Sequence, residues 1–227
     1  MTDFPFDVVG FDLDGTLLDS HADLGHAINH ALGLAGRPAV PIAELRGLIG
    51  GGGRSMLRRA MELTGGVEDD SFADLHRQFL GHYEAHIAVH TRLFPGGEAM
   101  LGDLAARGVK LAIVSNKLES LTRALLDELG LSQRFFTVIG GDTLGPGRAK
   151  PARDLIDLMI ARGGAIGFGG RAAFVGDTSF DVGAARAAGI PVVAVSFGFN
   201  DVPALELGAD RVIDHFDALV PTLLGLA

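Results

Sequence analysis

The chain has 227 residues, 48% hydrophobic and 21% charged, which is apolar enough to bury a sizeable core and excludes a disordered polymer. A formal charge of −9 repels phosphate backbones and argues against nucleic-acid binding, which needs clustered Lys and Arg. With no cysteine, disulfides, thiolate nucleophiles and cysteine-ligated zinc are excluded.

The length falls between one domain and two, so a core domain with a smaller insert is expected. Residues 1–7 lack the basic and apolar regions of a secretory signal, and no apolar run reaches the ~18 residues of a membrane span, so a cytoplasmic location is expected. The 33 glycines cluster between apolar runs, as tight strand-to-helix turns require.

In chain order, runs rich in Val, Ile and Phe at 8–13, 111–115, 135–139, 172–175 and 192–195 predict buried strands. Helical spacing occupies 99–107, 118–129, 154–162 and 181–188, mostly closed by glycine. Strand alternating with helix predicts an α/β fold, a doubly wound parallel sheet of the Rossmann-like type. Residues 20–90 break the rhythm: they offer helical stretches separated at 36–41, 50–53 and 64–70, and no strand. They are expected to form a small α-helical cap domain inserted after the first strand, with 1–19 and 91–227 as the core. Phe94-Pro95-Gly96-Gly97 is a turn-rich hinge candidate at the return junction.

Ligands of an open parallel sheet gather at the carboxyl ends of its strands. Here those ends read Asp12-Leu13-Asp14-Gly15-Thr16, Ser115-Asn116-Lys117 and Gly176-Asp177-Thr178-Ser179-Phe180-Asp181, with Lys150-Pro151 in a loop before a helix. The four motifs, in this order, resemble the haloacid dehalogenase superfamily over essentially the whole chain. Arg46-Gly47-Leu48-Ile49-Gly50, His82-Tyr83, Phe94-Pro95-Gly96 and Gly140-Gly141-Asp142-Thr143 resemble its phosphoglycolate phosphatases.

The residue types suit phosphoryl transfer, which needs an in-line nucleophile, positive charge at the equatorial oxygens and a proton for the leaving alkoxide. The resemblance makes Asp12 the nucleophile, through an aspartyl-phosphate, and Asp14 the general acid and base. It implies Mg²⁺ held by Asp12, Asp177 and the backbone carbonyl of Asp14, with Asp181 supporting. Lys150 neutralises charge, Ser115 and amides near Asn116 hold phosphoryl oxygen, and Arg46 and Gly50 of the cap contribute to substrate. The expected partner is a small phosphorylated metabolite, 2-phosphoglycolate first.

Plainer readings stand beside these. Asp12 and Asp14 could form a turn, but two acids ending a buried strand are costly without a cation. Asp177, Asp181, Ser115 and Asn116 could be helix-start residues, and Lys150 could be a solvated loop lysine. Arg46 is open between a substrate carboxylate and the surface, and Lys117 between the site edge and an exposed helix start. Gly50 to Gly53, followed by Arg54 and Ser55, lack the Gly-Lys-Ser/Thr ending and the preceding strand of a Walker motif. His82, His86 and His90 form a stripe at i, i+4 and i+8, read as a partly solvated face in preference to a metal site.

Asp14 argues against dehalogenase chemistry, and the lack of lysine in 20–90 against a Schiff base. A phosphomutase similar to beta-phosphoglucomutase and an inorganic pyrophosphatase remain open. A receiver-like phosphate-binding module also places Asp, Ser/Thr and Lys at strand ends. Such a module carries its Asp on an interior strand and needs no cap, whereas here the Asp follows the first strand in sequence.

Overall fold

The computed structural model describes residues 4–67, 69–164 and 171–226. Residue 68, within the expected break at 64–70, lies outside them.

The described chain runs β1 Val8–Phe11, β2 Leu18–Asp19, α1 His21–Leu34, α2 Ile42–Leu45, α3 Gly53–Leu63, α4 Asp69–Ala85, β3 Arg92–Leu93, α5 Gly97–Ala106 and β4 Lys110–Val114. It continues α6 Glu119–Glu128, β5 Thr137–Ile139, α7 Asp154–Gly163, β6 Ala172–Gly176, α8 Ser179–Ala188, β7 Val192–Val195, β8 Arg211–Ile213 and α9 Leu219–Leu224. Six strands form one parallel sheet in the order β5-β4-β1-β6-β7-β8. The five predicted strands are all in it. The sequence reading did not include β8, β2 or β3.

The central strands are apolar throughout because both of their faces are covered, and their period of two divides the side chains between two cores. Val9, Phe11, Leu111, Ile113, Val175 and Val193 enter one, which continues through α5 and α6 into the helices between β2 and β3. Val8, Val114, Phe174 and Val192 enter the other, under Leu155, Ile156 and Met159 of α7 and Ala184 and Ala185 of α8. Full burial of each such large aliphatic or aromatic side chain stabilises the fold by about 1.5–3 kcal/mol.

Between β2 and β3 the described residues are helical or irregular. Phe72, Leu75, Phe79 and Tyr83 recur at helical spacing on α4 and pack into the core shared with Leu24, Ile28 and Leu32 of α1. The segment leaves and returns through one antiparallel pair, Leu18 with Leu93 and Asp19 with Arg92. Asp23 reinforces that junction: its carboxylate accepts from the backbone N–H of His90 and Thr91 and, at 2.7 Å, from the Thr91 hydroxyl.

Sheet order reverses at β1, flanked by β4 and β6, because the chain first builds outward to β5 and then returns to build β6, β7 and β8 on the other side. Such a switch point opens a crevice at the strand ends. The residues that follow β1, β4 and β6 there are Asp12, Ser115 and Asp177.

Candidate active site

Asp12 is held by the sheet itself, its backbone N–H donating to Val175 O at 2.9 Å. Its side chain is buried, and Oδ1 lies 2.9 Å from Lys150 Nζ in ion contact yet makes no hydrogen bond of good geometry. Burial pushes the Asp12 carboxyl up to about 6, aided by the charges of Asp181 and Asp14 and opposed by Lys150. Asp177, fully buried, is raised well above the ordinary carboxylate range by burial and by Asp181 and Asp12.

Two neighbours fix Asp177. Thr16 donates its hydroxyl to Oδ1 at 2.7 Å, and the Phe199 N–H donates to Oδ2 at 2.7 Å. Gly15 lets the β1 loop approach this carboxylate: its φ is +90°, and a Cβ there would lie 2.3 Å from Asp177 Oδ2. The Gly-Thr after the two acids thus has a local physical cause.

Asp181 does two things at once. It completes a capping box on α8, with Oδ2 accepting from the Thr178 N–H at 2.9 Å and the Thr178 hydroxyl at 2.6 Å. Its Oδ1 accepts from Lys150 Nζ at 2.6 Å. The helix-start reading and the site reading both describe this residue. Lys150 is buried, and it also donates to Val114 O at 2.7 Å; burial works against its charge, but Asp12 and Asp181 together raise its pKa.

Oxygens of Asp12, Asp177 and Asp181 lie within 4.8 Å of one another, the one such group among the described residues. Three buried carboxylates against a single ammonium leave excess negative charge, and an all-oxygen donor set suits a hard divalent cation. Asp12 belongs to this group while its Oδ1 keeps its ion contact with Lys150. The Asp14 carboxylate is not in this group: Oδ1 accepts from the Ser20 hydroxyl at 2.6 Å and Oδ2 from Lys117 Nζ at 2.5 Å.

Ser115 is buried and borders the cavity, its hydroxyl accepting from the Lys117 N–H at 3.3 Å. The Asn116 side chain is used on the Lys150 loop, taking the Lys150 N–H and donating to Lys150 O, both at 2.9 Å. Neither residue caps α6, whose first N–H goes to Asp142 Oδ1 instead.

A cavity of about 520 Å³ joins these groups to the helical segment. Its lining includes Asp12, Asp14, Ser115, Lys117 and Lys150 from the sheet side, and Gly50 to Gly53, Arg54, His76 and Tyr83 from the helices. Gly50, Gly51 and Gly52 have φ of +120°, +69° and +87°. A Cβ on Gly52 would lie 3.0 Å from Asn116 O, so the glycine run lets this loop rest against the strand-end loop after β4.

Arg46 is outside the lining. It donates to Phe197 O at 2.6 Å and Gly198 O at 3.3 Å and stacks 5.2 Å from the Phe199 ring, tying the helical segment to the loop after β7. Lys117, open between site edge and surface from sequence, is buried, 2.5 Å from Asp14 Oδ2 and 4.6 Å from the Tyr83 ring centre. Burial opposes its charge, but Asp14 and Tyr83 raise its pKa. Sequence reasoning also left Thr16, Tyr83, Phe199 and Arg54 without roles. Scarcity of lysine was the one available signal for Lys117. The histidine stripe is also revised: α4 ends at Ala85, and His90 turns to His26, ring centres 5.5 Å apart.

Comparison with known proteins agrees with this geometry. The sequence profile of the haloacid dehalogenase-like hydrolase family matches residues 9–195. The phosphoglycolate phosphatase of Agrobacterium fabrum is 39% identical over 214 residues, 94% of this chain and 90% of its own length. That of Caulobacter vibrioides is 40% identical over 209 residues, 92% and 86% of the two chains. The crystal structure of a predicted phosphoglycolate phosphatase from Haemophilus somnus matches with a TM-score of 0.88 at 29% identity, covering 97% of this chain and 99% of that one.

The chain belongs to the haloacid dehalogenase-like hydrolase family. Within it, the chain is a phosphatase, an enzyme that hydrolyses phosphoric monoesters. Although β1 is first in sequence it is interior in the sheet, so strand position does not separate this protein from a receiver-like module; family membership does. Among the described residues, no helix is long and apolar enough to cross a membrane.

Proposed function

We propose that the protein is a Mg²⁺-dependent phosphatase acting on a small phosphorylated metabolite, 2-phosphoglycolate first, in the cytoplasm, with Asp12 as nucleophile. The observation that carries this reading is Asp12 itself: a buried carboxylate at the switch point, facing a cavity, in ion contact with Lys150, with one oxygen outside any hydrogen bond.

An Asp12 oxygen attacks phosphorus, the ester P–O bond breaks, and the leaving alkoxide takes a proton from Asp14. The aspartyl-phosphate is then hydrolysed when Asp14 takes a proton from water, the new P–O bond forms, and the bond from phosphorus to Asp12 breaks. Asp12, Asp177 and the backbone carbonyl of Asp14 would hold the cation, which supplies charge neutralisation at the phosphoryl oxygens. Asp181 orients Lys150 instead of binding directly, because its oxygens are taken by Thr178, Asp177 N–H and Lys150. Ser115 and the amides near Asn116 donate to phosphate.

Residues 20–90 act as the cap, closing over the site to exclude bulk water. Gly50 shapes its wall. Arg46 acts as a tether to the core, and Arg54, which borders the cavity, is the cationic group that meets a substrate carboxylate, with His76 beside it as a hydrogen-bonding group that burial and the Arg54 charge hold toward its neutral form. Names of relatives at 39% and 40% identity support phosphoglycolate as the first substrate to test.

The test is phosphate release from a panel that includes 2-phosphoglycolate, sugar phosphates and pyrophosphate, with Mg²⁺ and then with EDTA. Selectivity for 2-phosphoglycolate that EDTA abolishes supports the reading. Preference for pyrophosphate, or isomerisation of a sugar phosphate without phosphate release, overturns it.

A further inference from the structure

We infer that Arg46 is a positioning residue for the cation site: seated on the turn after β7, it keeps the carboxylate of Asp177 in place, so that seating of the helical segment on the core and binding of the divalent cation strengthen each other. The inference rests on the reading of Asp177 as a ligand of that cation.

One peptide group carries the connection. Arg46, just after α2, donates through Nη2 to Phe197 O at 2.6 Å and to Gly198 O at 3.3 Å. The carbonyl of Gly198 and the N–H of Phe199 are the two sides of a single planar peptide. That N–H donates to Asp177 Oδ2 at 2.7 Å, inside the fold. A guanidinium on the carbonyl side therefore orients the peptide plane and polarises the N–H on the other side, which strengthens its bond to the carboxylate.

The turn rests directly on the groups it positions. A Cβ on Gly198 would lie 2.4 Å from Asp177 Cβ and 2.5 Å from Gly15 O, so a shift of this backbone passes straight to Asp177 and to the loop after β1. The far end of the turn is tied down separately, by Asn200 Nδ2 donating to Asp177 O at 2.7 Å and to Val195 O at 2.9 Å. Among the described residues, no group other than Arg46 donates to the carbonyls of Phe197 and Gly198.

Both crossings between the helical segment and the core flank the same turn. His21, at the start of α1, stands edge-on to the Phe199 ring at 6.3 Å, and Phe94, just after β3, lies 4.9 Å from Phe197. Arg46 itself stacks 5.2 Å from the Phe199 ring centre. A swing of the helical segment about its two crossings thus withdraws Arg46 from the turn that holds Asp177.

Charge alone gives the opposite sign. A guanidinium near a cation site repels the ion, so an Arg46 that acted only through its charge would weaken binding, and its removal would tighten it. Groups that hold a metal-ligating carboxylate are commonly worth about ten- to a hundredfold in metal affinity. Arg46 stands one peptide further out, and its loss is expected to weaken binding by about fivefold, the low end of coupling between sites.

The test is calorimetric titration of the full chain with Mg²⁺, without substrate, in the parent, Arg46→Met, Asp177→Asn and Arg37→Met. Arg37 is the control, since its bond to Met61 O at 2.9 Å stays within the helical segment. Mg²⁺ affinity should fall about fivefold in Arg46→Met with circular dichroism unchanged, stay at the parental value in Arg37→Met, and be lost in Asp177→Asn. Arg46→Gln, expected in the same direction, takes its place if Arg46→Met does not fold. By reciprocity Mg²⁺ should slow amide exchange across residues 46–53 in the parent, and this protection should shrink in the Arg46 variant. Unchanged or tighter Mg²⁺ binding in the folded Arg46 variant overturns the proposal, as does equal protection of 46–53 in both proteins. Parental Mg²⁺ binding in Asp177→Asn, or no binding in the parent, overturns the cation reading of the strand ends and this proposal with it.

Discussion

Lys117 Nζ lies 2.5 Å from Asp14 Oδ2 and 4.6 Å from the Tyr83 ring centre, so one ammonium links the loop after β1, the loop after β4 and helix α4. Asp14 is therefore oriented by two partners, Lys117 and Ser20. Replacing Lys117 by Met leaves Ser20 alone and is expected to lower kcat by about 10²-fold, the low end of general acid–base contributions. Steady-state kinetics on the folded variant checks this; kcat within about threefold of the parent would remove Lys117 from the site.

Gly52→Ala forces a side chain into a backbone at φ +87°, with its Cβ 3.0 Å from Asn116 O. With ψ at 161°, this is the positive-φ extended region open essentially to glycine alone, and holding another residue there costs on the order of 1–3 kcal/mol. The expected result is a drop of about tenfold in kcat/KM, because the loop no longer rests on Asn116. Gly47→Ala, where a Cβ would meet nothing within 4 Å, serves as the near-neutral control.

Burial lifts Asp12 to about 6 and raises Asp177 above its usual range, so their contribution to stability has a definite sign. It is fully present below about pH 4, the unfolded carboxyl value, and is lost as pH rises, for Asp12 through about 6 and for Asp177 above the ordinary carboxylate range. A divalent cation offsets that loss by binding the ionised carboxylates. Thermal melts should therefore show a larger Mg²⁺-induced rise in Tm near pH 7.5 than near pH 5. An equal rise at both would contradict the assignment.

Most of the sheet was legible because apolar runs both mark buried strands and end in chemistry: Phe11 into Asp12, Val114 into Ser115, Gly176 into Asp177. The strands β2 and β3 are two residues each, too short for any period to show, and β8 is three residues beginning at exposed Arg211. Spacing along the chain could place Arg46 near the site but not show that backbone carbonyls of the loop after β7 take its guanidinium. Lys117 and Tyr83 meet across 34 residues of sequence, and such contacts leave no local pattern. His90 left the stripe because α4 stops before it.

Thr178 starts α8, and its hydroxyl donates to the same Asp181 whose other oxygen takes Lys150. Thr178→Ala should cost about 1 kcal/mol in urea unfolding, the usual value of a lost cap. A second effect is expected in activity: with Asp181 less restrained, Lys150 is less well held and kcat falls by several-fold, on the order of the 0.5–3 kcal/mol couplings seen within one polar network. Loss of stability with full kcat would confine Thr178 to helix capping.

Asp12→Asn tests the central claim most directly, because it keeps the size of the side chain and removes the carboxylate charge that attacks phosphorus, faces Lys150 and helps to hold the cation. Phosphate release from 2-phosphoglycolate in Mg²⁺ should fall by at least about 10³-fold, with the fold retained by circular dichroism. A folded Asp12→Asn variant that turns over at a near-parental rate would contradict covalent catalysis at this residue.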